Sequence, residues 1–157
     1  MRRRVLGPAI VGAFITAIAA IAFADDAKDE AIQKDRNQIK GTWRVVVLVV
    51  NGNMAAEEDA RKLTVVNGSD GTWSLRSEDK EISKGISTFD PTKTPKTIDF
   101  TPTEGEAKDN QFFGIYELGE KTRRMCFAPH GKGRPTELSS TPGSEHVCLT
   151  FEREKTE

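Results

Sequence analysis

The sequence predicts an all-β fold, a sandwich or barrel of eight short antiparallel strands behind a short N-terminal helix. Three observations predict it. After Gly41 the chain breaks into eight short apolar runs at near-regular spacing, each bounded by turn residues. Within most of these runs the apolar residues recur at every second position, the period of a strand with one buried face. No second long helical pattern follows, so helices cannot supply the core.

Residues 1–24 read as an export leader. Arg2, Arg3 and Arg4 make a basic start, residues 5–21 are apolar except for Gly, Pro and Thr, and Ala22-Phe23-Ala24 supplies the small-x-small pattern expected before a cleavage point. The rival is an uncleaved anchor, since residues 5–23 are about long enough to span a bilayer. Pro8 and the Ala-x-Ala ending favour cleavage after Ala24, and no cysteine stands there to take a lipid. The expected destination is the periplasm or the exterior, with no membrane attachment after cleavage. Residues 25–40 are polar and free of Gly and Pro. Asp25 or Asp26 can cap a helix here and Gly41 can stop it, although its apolar content is thin.

Residues 41–157 form the β domain. The first strand, 42–50, lies in "KGTWRVVVLVVNG" and ends at Asn51-Gly52. Residues 57–61 suggest one helical turn. Strands follow at 63–66, 72–76 and 82–89, separated by the Asn67–Gly71 turn residues and by Ser-Glu-Asp-Lys. Pro91 and Pro95 exclude a central strand between 90 and 95, because proline lacks the donor a ladder needs. Further strands are expected at 97–101, 111–118, 122–128 and 145–152, the last after a long Gly/Pro-containing segment at 130–144.

Alternation assigns the inward faces. Trp43, Val45, Val47 and Val49 share one side of the first strand; Trp73 and Leu75, Ile98 and Phe100, and Met125 and Phe127 pair likewise. Phe112, Gly114, Tyr116 and Leu118 line the sixth strand, and Val147, Leu149 and Phe151 the eighth, with Arg153 on the same parity. The first strand is unusual because Val46, Leu48 and Val50 make its other face apolar too. A helix or a second subunit is expected to cover it.

"GTWRVVVLVVNG", "DPTKTPKTIDF", "GIYELG", "CFAPHGKGRPTELSSTPGSEHV" and "EREK", spread in order over residues 36–155, resemble a lipocalin-like domain family numerous in planctomycete bacteria. The Gly-x-Trp that opens the first strand and the arginine on the last are similar to the wider lipocalin and calycin pattern. The resemblance implies an up-and-down eight-stranded lipocalin-like barrel and export. It implies no activity, and a barrel of this kind hosts unrelated functions.

Charge narrows the function classes. The chain holds 23 basic and 24 acidic residues, a net charge of −1. Loss of residues 1–24 removes three arginines and no acid, taking the charge to −4. That balance argues against nucleic acid, whose binders carry a basic stripe. An enzyme is not expected: no Gly-x-Ser-x-Gly elbow is present, and only His130 and His146 could act as a base. No cofactor is expected either.

Four further features suggest sites. Cys126, His130, His146 and Cys148 have donor types for zinc, but the spacing matches no standard zinc motif. A Cys126–Cys148 disulfide, free thiols and a metal site stay open, with the disulfide favoured in an oxidising compartment and metal least. Arg123, Arg124, Lys132 and Arg134 read as a solvated rim or a small anion patch. Asn67-Gly68-Ser69 fits a glycosylation sequon but also a plain Asn-Gly turn. Trp43 and Arg153 are expected to stack and plug one end of the barrel, a structural pair.

The interior is the remaining candidate. Trp73, Phe89, Phe100, Phe112, Tyr116 and Phe127 would line it, with Trp73 and Tyr116 orienting a ligand's polar end. Ser87 and Gly114, small at inward positions, hint at open space. Two functions follow: a non-enzymatic exported domain that binds a small apolar ligand, or an interaction or structural module of the cell envelope with a solid core. The size of the internal void separates them. The oligomeric state is left open.

Overall fold

The computed structural model describes residues 12–155. Helix α1 (Gly12–Ile39) leads into β1 (Gly41–Val50), β2 (Asn53–Met54), the one-turn helix α2 (Glu57–Ala60), β3 (Leu63–Asn67), β4 (Thr72–Ser77) and β5 (Lys80–Asp90). β6 (Lys96–Pro102), β7 (Phe112–Leu118), β8 (Thr122–Phe127) and β9 (Val147–Arg153) complete the chain. Each strand from β3 to β8 pairs antiparallel with the next, β1 pairs with β3, and β1 also pairs with β9. That last pairing closes an eight-stranded barrel of lipocalin-like topology, with β2 a two-residue appendage on β1.

The expected helix at 25–40 is the second half of a longer one, since α1 already contains Ala24. The basic start of the expected leader, residues 2–4, lies outside the described residues. No helix among the described residues is long and apolar enough to cross a membrane.

One end of the barrel is closed. β1 begins, and β3 and β9 finish, where α1 arrives. The helix is tied down by Lys28 to Asp90 (3.4 Å), by Gln38 Nε2 donating to the Gly119 carbonyl (3.0 Å) and by the contacts of Asp35 described below. The other end carries the β4–β5 hairpin, whose two turn residues Glu78 and Asp79 both have positive φ (50° and 68°). That is the mirror-type turn that matches strand twist.

The register of β1 corrects the expected face assignment. Pairing with β9 runs Trp43 to Arg153 and Val45 to Phe151, then slips, so that Val47 meets Thr150 and Leu48 meets Leu149. A β-bulge here adds one residue and reverses the parity of everything beyond it. Trp43 and Val45 point inward as expected, but Leu48 and Val50, not Val47 and Val49, continue the inner face. Part of the doubly apolar pattern is therefore a single strand that changes face at the bulge. β3 begins opposite Arg44, and α2 fills the gap it leaves beside β1. Ala55 N–H donates to the Leu48 carbonyl, and Ala60 packs fully buried with Trp43, Val45 and Phe151.

The long connection before β9 is packed down rather than free. Arg134 crosses to β6 and β7, donating from Nη1 to the carbonyls of Ile98 (3.1 Å) and Gly114 (2.7 Å) and pairing through Nη2 with Asp99 (2.6 Å). Leu138 covers Ile115, Cys126 and Cys148 on the outer face.

Candidate functional site: a blind apolar cavity with a cationic floor

The barrel encloses a cavity of about 460 Å³. All six expected lining residues, Trp73, Phe89, Phe100, Phe112, Tyr116 and Phe127, stand around it. Period-2 alternation delivers them because each adjacent pair of strands is in straight register where they sit: Phe100 faces Phe112, Ile98 faces Gly114, and Gly114 faces Phe127. Phe100 stacks on Phe112 (centroids 5.1 Å, 10° between planes) and meets Phe127 edge-on at 4.9 Å. Trp73 meets Phe100 edge-on at 6.0 Å and Phe89 meets Tyr116 at 5.5 Å. The mouth lies beyond this cluster, beside the half-exposed Val50 and near His130.

The two small inward residues behave differently. Ser87 lines the cavity, its hydroxyl donating to the Gly71 carbonyl at 3.1 Å. Gly114 does not mark open space: a Cβ there would come within 2.8 Å of the Cys126 carbonyl oxygen. Close strand approach excludes a side chain at that point.

At the closed end Trp43 is completely buried, and its Nε1 donates to the Ile39 carbonyl at 2.7 Å. The Arg153 guanidinium carbon sits 4.2 Å from the indole centroid. Its Nη1 donates to the Lys40 carbonyl (2.8 Å) and its Nη2 to that of Gln38. Gly41, with φ of +118°, turns helix into strand here, and a Cβ on it would stand 3.1 Å from Arg153 Nη1.

A second arginine, placed by sequence reasoning on the rim, is inside. Arg123 lines the cavity, is 7 % exposed, and lies over both Trp43 (4.9 Å) and Phe151 (4.3 Å). Its Nη1 donates to Asn67 Oδ1 at 2.9 Å, while its Nε–H has no acceptor. Burial, with the charge of Arg153 added, pushes its pKa down to about 9, so the side chain stays cationic at neutral pH. A signal was available: Arg123 shares parity with the inward Met125 and Phe127. Arg124, of opposite parity, pairs with Glu117 on the outside (3.2 Å), and Arg134 is spent on Asp99. The four expected patch residues are therefore not assembled.

Tyr116 lines the cavity with its ring, but its O–H donates away from it, to Asp35 Oδ2 of α1 at 2.7 Å. Lys96 Nζ reaches the same carboxylate at 2.9 Å. Burial and then the Asp35 carboxylate hold the phenol far above its ordinary range. Tyr116 thus fastens the helix, and its donor is not free to orient a ligand. Trp73 Nε1, in contrast, is buried with no acceptor.

Cys126 and Cys148 face each other across β8 and β9 and are bonded. With both sulfurs joined, no thiolate remains for a metal, and among the described residues no group of three metal-binding side chains occurs. His130 Nδ1 contacts the Gln111 carbonyl at 3.0 Å. Asn67 is buried and occupied by Arg123, which makes the sequon reading sterically unsuitable.

Comparison of the chain with protein-family models, with curated proteins and with solved structures returns no match in any of the three.

Proposed function

We propose that the protein is an exported, non-enzymatic lipocalin-like carrier that holds one small apolar molecule in its barrel. The cavity carries this reading. Its volume falls within the range of small-molecule sites, and its wall is almost wholly apolar. An eight-stranded barrel can fill with its own side chains; this one leaves room, closed at the Trp43 end and bordered by aromatic rings toward the other.

Export rests on the basic start, the apolar run and Ala22-Phe23-Ala24, and is supported by the Cys126–Cys148 bond, which persists in oxidising compartments. Membership of the planctomycete lipocalin-like family rests on the motifs quoted above, and is part of the proposal. The test is native mass spectrometry of the purified protein after incubation with a cell-envelope lipid extract. One bound small molecule per chain is expected. Recovery of the unliganded mass alone would defeat the proposal in favour of a module that acts through its surface.

A further inference from the structure

The floor of the cavity holds a cation with no counterion. Arg123 takes part in none of the ion pairs among the described residues, and the charge that acts on it is the like charge of Arg153. Burying a charge without a partner is costly, and proteins ordinarily pair it. The guanidinium lies over the rings of Trp43 and Phe151, which supply cation–π attraction but no negative charge. An arginine has five donors in a planar fork. One goes to Asn67, and Nε–H has nothing.

The surroundings define what can complete it. The Ser87 hydroxyl is committed to Gly71, the Tyr116 hydroxyl to Asp35, and Arg153 to two carbonyls of the α1 terminus. Trp73, whose Nε1 also lacks an acceptor, lies directly across the β3–β4 ladder from Asn67. The two buried side-chain atoms of cavity-lining residues that lack a partner among the described residues, Trp73 Nε1 and Arg123 Nε, are both donors, and one belongs to a cation.

We infer that the occupant is a monocarboxylate with a single apolar tail, its carboxylate in the plane of the Arg123 guanidinium at the floor and its tail among Phe100, Phe112 and Phe127. This rests on the carrier reading above. One cation calls for one negative charge, and a planar carboxylate matches the fork with two parallel bonds. Head-down binding follows from the geometry, since the cation sits at the closed end and the apolar rings stand between it and the mouth.

The experiment titrates the wild-type protein calorimetrically with dodecanoate, dodecanol and dodecylamine, then repeats the series on Arg123→Gln and Arg123→Lys. Dodecanoate is expected to bind on the order of 10- to 100-fold more tightly than dodecanol, the weight of a charge-assisted hydrogen bond. Dodecylamine is expected to bind weakest of the three. Arg123→Gln should abolish the preference and Arg123→Lys should keep part of it. Equal affinity of dodecanoate and dodecanol for the wild type would overturn the carboxylate assignment while leaving the carrier reading intact. Binding of none of the three would remove both. The wild-type comparison stands even if Arg123→Gln fails to fold.

Discussion

The floor of the barrel and its mouth are built from different chemistry. At the floor, Trp43, Arg153, Tyr116 and Asp35 each make a directional bond that fixes one element to another: indole to helix end, guanidinium to helix carbonyls, phenol to helix carboxylate. At the mouth, Phe100, Phe112 and Phe127 touch only through their rings, and β1 reaches it through the half-exposed Val50. Directional bonds specify one arrangement and resist deformation, whereas ring contacts tolerate rearrangement at small cost. The closed end is accordingly where the fold is fastened, and the open end is where volume can be left unfilled. Mutations should separate the two.

The largest effect is expected at the floor. Trp43→Ala should lower stability by about 3–5 kcal/mol, as large core truncations do. It removes the bond to Ile39 and leaves Arg123 and Arg153 without the ring they share. Chemical denaturation measures it, and an unchanged midpoint would mean that the barrel is not fastened at this end.

The disulfide comes next, and it belongs to neither end. Cys126 and Cys148 lie on the outer face under Leu138, 22 residues apart in sequence. The paired substitution Cys126→Ala, Cys148→Ala should cost about 3 kcal/mol by loop closure while leaving cavity binding unchanged. A thiol probe should label the native protein only after reduction; two thiols labelled without reductant would refute the bond.

Tyr116 tests how the helix is held. Tyr116→Phe leaves Asp35 buried with Lys96 alone, at a cost of about 1–3 kcal/mol. The chain contains one tyrosine, so its phenolate absorbance reports this residue directly. The folded phenol has a raised pKa, so the folded state holds the proton more tightly than the unfolded chain does. Its contribution is complete below the unfolded value of about 10 and declines as pH rises above it. Phenolate should therefore appear together with unfolding; a normal titration with the fold intact would show that the bond to Asp35 is not made.

Phe112→Ala sharpens the comparison from the other side. Phe112 is half-buried and borders the void, so little packing is lost, about 1–2 kcal/mol by the area it keeps from water. Ligand affinity should fall further than stability, the reverse of Trp43→Ala. A stability loss equal to that of Trp43→Ala would erase the distinction between the ends.

Sequence pattern revealed most of the barrel because strand alternation and turn residues are local. All eight closing strands fall within about two residues of where alternation places them, and the six lining aromatics follow from it. The face of β1 was illegible beyond Val45, since a bulge inside an unbroken apolar run leaves no mark in the pattern. Arg123 was legible in parity but contrary to residue type, because arginines are almost never buried without a partner. The places where local rules fail are often functional ones, and this one lies at the floor of the cavity.

The smallest effect expected is at Arg153, and its size depends on what lysine cannot replace. The planar head lies 4.2 Å from the Trp43 centroid while donating to two carbonyls at the end of the helix, those of Lys40 and Gln38. A lysine ammonium keeps the charge and can reach one carbonyl, but it is more strongly hydrated and cannot stack while bonding in plane. The aliphatic stem still covers the indole, so the loss is limited to part of the cation–π contact and one hydrogen bond, about 1 kcal/mol. Arg153→Lys should therefore shift the denaturation midpoint measurably but far less than Trp43→Ala, with dodecanoate binding unaffected because Arg123 remains. A loss as large as that of Trp43→Ala would show that Arg153, and not the indole, is the main fastening of the floor.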